Sequence, residues 1–566
     1  MSETAVSTPL SSAANAPLLF PTLSPAQVAR IASHGVIRPT TRGEVLIEGG
    51  QTNVPFFVVK AGEIEVIRSS GLGDLLIATV HADQFTGDIS MILGRPALMR
   101  LHVSESGEVV QLTRDQMHAL IQNDAEISEV LMRAMIHRRV AMVAQGIGDA
   151  LLIGSGRSAA TLRIKEFLTR NGHPFKYLDL DRDADVQDLL DRFDVDRSEV
   201  PVVICRGAAV LKRPSNQEIA DRLGFNDRID KQHMRDVVIV GGGPAGLAAA
   251  VYAASEGLDA LVIEASSPGG QAGSSSNIEN YLGFPTGISG QDLAARAYAQ
   301  AQKFGASIMI AKGAAELTGE WKQHGVRLGD GATIPARTVI IATGARYRKP
   351  ALANLTQFEG AGVYYSATFM EEAQLADEDE VIVVGGANSA GQAAVFLART
   401  GRRIHVLVRS NSLSATMSRY LVRRIEETPT IQVRTRTEIV ALEGNGHLER
   451  VLWRDGTGAV TSHDLRHVFL MTGAEASTGW LNGRVALDTN GFIKTGPDLT
   501  PEDLAAAQWP LGRSPYLLET SRPGVFAVGD VRCGNIKRVA SAVGEGSIAI
   551  SFLHRVLAEL PNTNGG

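Results

Sequence analysis

Gly241, Gly243 and Gly246 follow the apolar run Val237–Val240 and lead into the small-residue stretch LAAAVYAASEG. That G-x-G-x-x-G spacing, with Pro244 and Ala245 inside it, permits a tight strand-to-helix turn. It also lets the backbone approach a pyrophosphate and aims a helix N-terminus at its charge. The next apolar strand, ALVIEA (260–265), carries Glu264 18 residues beyond Gly246, where a carboxylate can bind the ribose hydroxyls of an adenosine. About 145 residues on, VIVVGGANSAG puts Gly385, Ala387 and Ala390 on a G-x-G-x-x-A pattern, with Gly386 in the turn. Asn388 and Ser389 can donate to a phosphate there. The strand IHVLVR (404–409) then ends in Arg409, where an acid would select an unphosphorylated ribose. An arginine instead attracts a 2′-phosphate. Arg419, Arg423 and Arg424 lie further on, so NADPH is favoured over NADH.

The elements that must hold these residues are two βαβ patterns with similar openings, the second inserted into the first. Upstream, residues 22–122 read as short alternating strands, among them EVLIEGG (44–50), FFVVKAGEIEVI (56–67) and LLIATV (75–80). Such strands suggest a β-sandwich or barrel. Ile127, Val130, Leu131 and Met135 have helical spacing and predict a connecting helix over 125–145. Residues 148–226 alternate strand, helix, strand, helix, strand, as in a small α/β domain. The expected fold is therefore multidomain α/β. It starts with a flexible tail (1–21) and an N-terminal β-roll with its connecting helix (22–145). A small α/β domain (146–230) follows. Two Rossmann-like domains complete the chain, one formed by 231–350 with 473–566 and the other by 351–472.

Composition narrows the function classes. The 566 residues carry a net charge of −6 and 44% apolar side chains, without a basic stripe for DNA or RNA or a polybasic segment for a membrane surface. No apolar run is long enough to span a bilayer. MSETAVSTPLSSAANAP lacks the charged and apolar regions of a secretory signal, so a cytoplasmic setting is expected. Cys205 and Cys533 are the two cysteines and form neither a C-x-x-C nor a metal-ligand spacing.

Further motifs carry a resemblance. PGGQAGSSSNIENYLGFP (268–285), TVIIATGA (338–345), GVFAVGD (524–530) and KRVASAVGEGSIA (537–549) resemble the FAD-contacting segments of bacterial thioredoxin reductases. The resemblance implies FAD bound by Gly241, Gly243, Pro244, Ala245, Gly246, Glu264, Gly270, Gln271, Asn280, Ala342, Thr343, Gly344, Gly529, Asp530, Arg538, Val539 and Ala540. Asp530 would bind the ribitol, and the helix beginning at 539 would place its N-terminus at the flavin pyrimidine edge. It also implies NADPH held by Gly386, Asn388, Ser389, Ala390, Arg409 and Arg419, and a homodimer. Ser366-Ala367-Thr368-Phe369 stands where that family carries its redox C-x-x-C, so the dithiol positions hold Ser366 and Phe369 and no catalytic residue is assigned.

Residues 146–230 resemble a thioredoxin or glutaredoxin domain, with Val200-Pro201 at the cis-proline position. Its active-site turn reads Gly154-Ser155-Gly156-Arg157-Ser158, again without the cysteine pair. A scaffold, a docking module, a changed chemistry or a simple spacer all fit. Residues 22–145 resemble a cyclic nucleotide-binding domain whose phosphate cassette runs from Phe85 to Arg100. Gly87, Asp88, Arg95 and Arg100 are candidates for an effector, but Ala97 falls where the phosphate-binding arginine belongs. Cyclic nucleotide, another nucleotide and a purely structural roll all remain open. The expected function is an FAD-dependent oxidoreductase that takes hydride from NADPH and passes electrons to a non-disulfide acceptor such as a ferredoxin or a small molecule. The alternatives are a redox- and nucleotide-sensing flavoprotein with little turnover and, disfavoured for want of a dithiol, a thioredoxin-disulfide reductase.

Overall fold

The structure, a computed structural model, describes residues 9–560 except 71–72, 157, 184–185, 207–208, 227–228, 276, 366–374 and 376–378. It divides into two compact units: Met1–Ser155 with Phe167–Asp230 and Ala299–Ala311, and Gly156–Glu166 with Lys231–Tyr298 and Lys312–Gly566.

The first unit contains the β-roll. Val36–Thr40, Arg100–Leu112, Phe56–Ser70 and Gly73–Val80 pair antiparallel in that order, and Val45–Ile47 also pairs with Arg100–Leu112. Alternation along Phe56–Ser70 turns Ile64 and Val66 to one face. The helix Ala125–Ala144 closes the roll, burying Ile127, Leu131 and Met135.

The expectation of a flexible tail over 1–21 is corrected for the described part. Leu10–Ser12 forms a 3-10 turn and Ala16–Leu19 a helical turn. Three apolar positions in this polar segment explain the order: Leu10, Leu19 and Phe20 are all buried in the roll's core. Ser11 accepts a hydrogen bond from Thr79 N at 3.1 Å.

Most of the small α/β region, all but Gly156–Glu166, shares this first unit. Its sheet runs Phe175–Asp179, Ala150–Gly154, Val202–Cys205, Ala209–Lys212, with the first pair parallel and the others antiparallel. The Val200-Pro201 peptide is cis. The roll and this sheet fall together because side chains join them. Arg95 donates to Asn171 O at 3.1 Å and lies 4.1 Å over the Phe225 ring.

In the second unit, Ala260–Glu264, Arg235–Val240, Thr333–Ile341 and Val525–Ala527 form a parallel set, extended by the antiparallel strands Gln323–Leu328 and Ala314–Glu320. Between Thr333–Ile341 and Val525–Ala527 in sequence lies a second parallel sheet, ordered Val363–Tyr364, His467–Leu470, Val381–Val384, Ile404–Val408, Ile431–Thr435. The chain leaves the first sheet through Ala345–Tyr347 and returns through Ala474–Ala476, and these two strands pair antiparallel. The second sheet thus falls, in sequence, between strands of the first.

Candidate dinucleotide site

The first glycine turn shows why each glycine is there. Gly241 has φ +109°, and a Cβ on it would sit 2.4 Å from Ala342 O. Gly243 is the N-cap of Pro244–Ser255 and provides no side-chain cap, so the first N–H groups of that helix remain available to an anion. A Cβ at Gly246 would meet Gly241 O at 1.9 Å, so only glycine lets the helix lie this close to the strand end. Glu264 ends its strand buried, and its carboxylate accepts from Gly242 N at 2.7 Å and Ser266 N at 2.8 Å. Backbone donors thus fix its direction.

Around this turn lies a cavity of about 570 Å³. Its wall includes Gly241, Gly243, Pro244, Ala245, Glu264, Gly270, Gln271, Asn280, Ala342, Thr343, Gly344, Gly529, Asp530, Arg538 and Val539. Gly246 and Ala540 are not on the wall, since Gly246 is spent on helix packing. Gln271 reaches the cavity from an exposed loop and donates to Ala345 O. Thr343 donates to Ser477 O at 2.9 Å. Asp530 follows the strand Val525–Ala527, and burial raises its carboxyl above the usual range, opposed by Lys537 and reinforced by Glu545. The 21-residue helix Val539–Glu559 begins at the same wall with Arg538 as N-cap and no side-chain cap.

The second glycine turn contributes to the same cavity. Asn388, Ser389 and Gln392 lie on one face of the helix Asn388–Leu397 and line the wall. Asn388 Oδ1 accepts from Ser418 N at 2.7 Å, which leaves its amide N–H groups to donate elsewhere. Ser389 bonds the hydroxyl of Tyr347, whose phenol is pushed above its ordinary pKa by burial. Ala387 has φ −100°, a conformation open to any residue, so its replacement of the family's glycine adds no backbone strain. Gly386, Ala390, Arg409 and Arg419 are outside the cavity wall. Arg409 and Arg419 are exposed, and Thr416, between them in sequence, donates to Gly386 O at 2.7 Å. Arg424 is engaged elsewhere, with Glu279 at 2.9 and 3.1 Å, and Arg423 with Glu427 at 2.7 Å.

Sequence reasoning missed Tyr347, Gln392, Ser477, Trp480 and Lys537 on this wall. Gln392 was findable, one helical turn beyond Asn388, and Lys537 adjoins Arg538; nothing local marks Ser477 or Trp480. The Ser366–Phe369 positions lie outside the described residues, as does Arg157. Among the described residues there is no group of His, Cys, Asp or Glu placed to hold a metal, and no helix long and apolar enough to cross a membrane.

Gly87, Asp88 and Arg95 border a separate cavity inside the β-roll, and Arg100 does not. Arg100 pairs with Glu48 and Asp74 at 3.0 and 3.3 Å. Asp88 caps Ile89–Leu93 through Ser90 N at 3.1 Å and pairs with Arg139 at 3.4 Å.

The glycine cradle, three helix N-termini without side-chain caps and an oriented carboxylate fit dinucleotides, and the comparisons agree. Residues 235–546 match the pyridine nucleotide-disulphide oxidoreductase family, and residues 37–124 the cyclic nucleotide-binding domain. A thioredoxin reductase of Ureaplasma parvum is 32% identical over 323 residues, 57% of this chain and 96% of that protein. The NADPH-dependent thioredoxin reductase 3 of Arabidopsis thaliana is 31% identical over 374 residues, 62% of this chain and 65% of that protein. The crystal structure of Lactococcus lactis thioredoxin reductase in its FR conformation superposes with a TM-score of 0.51 at 26% identity, covering 58% of this chain and all of that one. The chain therefore belongs to the pyridine nucleotide-disulphide oxidoreductase family, as a thioredoxin reductase-like flavoprotein enzyme that uses FAD and NADPH.

Proposed function

We propose that this enzyme oxidises NADPH and hands the electrons to an acceptor other than a protein disulfide. One observation carries the reading: the first glycine turn, Asp530, the start of Val539–Glu559 and the start of Asn388–Leu397 all face one cavity. When bound, FAD supplies the two-electron chemistry with NADPH. The chain's part is to hold and align. Backbone N–H groups after Gly243 would receive a pyrophosphate, Glu264 the adenosine ribose hydroxyls, and Asp530 the ribitol. Asn388 and Ser389 would donate to the NADPH phosphates, while Arg409 and Arg419 meet its 2′-phosphate. Tyr347, kept protonated by burial, presents a neutral wall between the two binding halves.

Disulfide exchange needs an attacking thiolate and a partner sulfur. Cys205 is buried in the small sheet with its thiol pushed up to about 12, first by burial and then by Asp149. Cys533 is also raised, by burial and by its bond to Asp488. Neither is a thiolate at neutral pH. The relatives' names favour thioredoxin reduction, and that reading is the one to test against.

An anaerobic NADPH titration, following the visible flavin band, is the first test. Bleaching by about one equivalent is expected, followed by turnover with ferricyanide, a quinone or a ferredoxin. An unchanged band removes the oxidoreductase reading and leaves a redox and nucleotide sensor, which the match over 37–124 favours. NADPH-dependent reduction of oxidised thioredoxin removes the non-disulfide acceptor. Homodimerisation belongs to the same proposal, and the mass in solution checks it.

A further inference from the structure

The chain joins the two parallel sheets of the second unit through a ribbon of two three-residue strands, Ala345–Tyr347 and Ala474–Ala476. Backbone bonds lengthen it slightly: Ser477 N donates to Gly344 O at 3.0 Å and Arg348 N to Gly473 O at 2.9 Å. A two-stranded ribbon this short has little stiffness of its own. The ion pair of Arg424 with Glu279, at 2.9 Å, also links the two sides, but it is exposed and such pairs contribute little. Hydride transfer nevertheless requires the wall of Asn388, Ser389 and Gln392 to be held against the wall of the first glycine turn, because small misplacements of reacting groups are costly.

Tyr347 stands where it can hold them. It ends the outgoing strand of the ribbon, opposite Ala474. Its ring packs on the core of the second sheet, which includes Val381, Val383, Ala390, Ile404 and Val406. The same side chain lines the shared cavity, close enough to Asp530 of the flavin side for that carboxylate to act on its phenol. Its hydroxyl bonds Ser389, in the first turn of Asn388–Leu397. A serine hydroxyl accepts and donates at once, so Ser389 can take the Tyr347 proton while giving its own to a phosphate. The bond to Tyr347 is therefore compatible with bound NADPH.

We propose that Tyr347 is a positioning residue for hydride transfer: its ring and hydroxyl together lock the start of Asn388–Leu397 to the ribbon, and so hold the NADPH side of the cavity against the flavin side. The inference rests on the reading that both dinucleotides occupy this cavity. Asn388, Ser389, Arg409 and Arg419 all belong to the NADPH side and stay together when the lock is released. Affinity for NADPH should then survive while transfer suffers.

The test uses the FAD-loaded full chain and Tyr347→Phe, which keeps the ring and removes the hydroxyl. In anaerobic stopped flow at saturating NADPH, flavin reduction should slow about tenfold while the Kd for NADPH stays within about twofold of the parent's. Without NADPH, hydrogen exchange should quicken at the amides of 345–347 and 388–391. Ser389→Ala removes the same bond and a phosphate donor besides, so it should slow reduction as much and also raise the Kd. The double variant should reduce no more slowly than Ser389→Ala alone, since both changes delete one bond. A parental reduction rate in Tyr347→Phe overturns the proposal. So does a Kd that rises as much as the rate falls, unchanged exchange, or effects that multiply in the double variant. A parent flavin that NADPH does not reduce removes the oxidoreductase reading instead, and exchange at those amides then decides the lock on its own.

Discussion

Arg409 stands exposed one residue beyond Ile404–Val408, and Arg419 begins the helix Arg419–Glu426, with Thr416 holding the intervening loop to Gly386. A charge-assisted bond to a phosphate contributes about 1.5–3 kcal/mol. Arg409→Ala should therefore raise the KM for NADPH by about 10- to 100-fold and leave that for NADH unchanged, read in steady state with ferricyanide. His324 sets a pH limit. Its Nε2–H donates to Pro523 O at 2.9 Å just before the strand leading to Asp530, and burial lowers its pKa to about 4. Unfolded, the ring takes a proton near pH 6.5; folded, only near 4. Stability is thus complete above about pH 6.5 and is lost as pH falls towards 4, by about 3 kcal/mol at 1.36 kcal/mol per pH unit. His324→Gln keeps a donor without titrating, so its melting temperature should fall less than the parent's between pH 6.5 and 4.5.

Among the elements, the first nucleotide helix and the long helix Val539–Glu559 both begin at the cavity wall, packed together where Gly546 meets Ala245 O. Gly246→Ala would force Pro244–Ser255 away from Gly241, and the purified protein should lose most of its flavin absorbance at 450 nm or about that wavelength. The far end of Val539–Glu559 is held by Arg513, which bonds Glu559 at 2.8 and 3.2 Å and Glu519 at 2.7 and 3.2 Å. Glu519 is fully buried and also accepts from Gly524 N at 2.9 Å. Arg513→Met leaves that carboxylate without its cation, at a cost of about 3–5 kcal/mol by denaturant titration. Both glycine turns were legible because a tight turn leaves few alternatives to glycine. The Arg513 network was not, since Arg513 and Glu559 are 46 residues apart and only the fold brings them together. Arg424 counted towards the preference for NADPH for the opposite reason: its charge is visible in sequence, its partner Glu279 is not.

At the scale of the molecule, the two compact units can be followed separately. The four tryptophans, Trp321, Trp453, Trp480 and Trp509, all belong to the second unit. Phe20→Ala removes a buried ring from the roll and its contact with Arg138, a loss of about 3–5 kcal/mol. Far-UV circular dichroism should show an earlier melting step while tryptophan fluorescence melts as before. The segment holding Phe20 looked like a tail because its composition is dominated by Ser, Thr, Ala and Pro. Three apolar side chains suffice to order it, since the roll supplies the surface that buries them.

Helix Val539–Glu559 spans about 30 Å at 1.5 Å per residue, from the cavity wall to the Arg513 cluster. It acts as a strut, so a disturbance at its remote end is felt as leakage of a coloured group at the near end. Among randomly mutated colonies, pale ones should trace two clusters on the sequence: the glycine turns, and Arg513, Glu519 and Glu559, which touch nothing yellow.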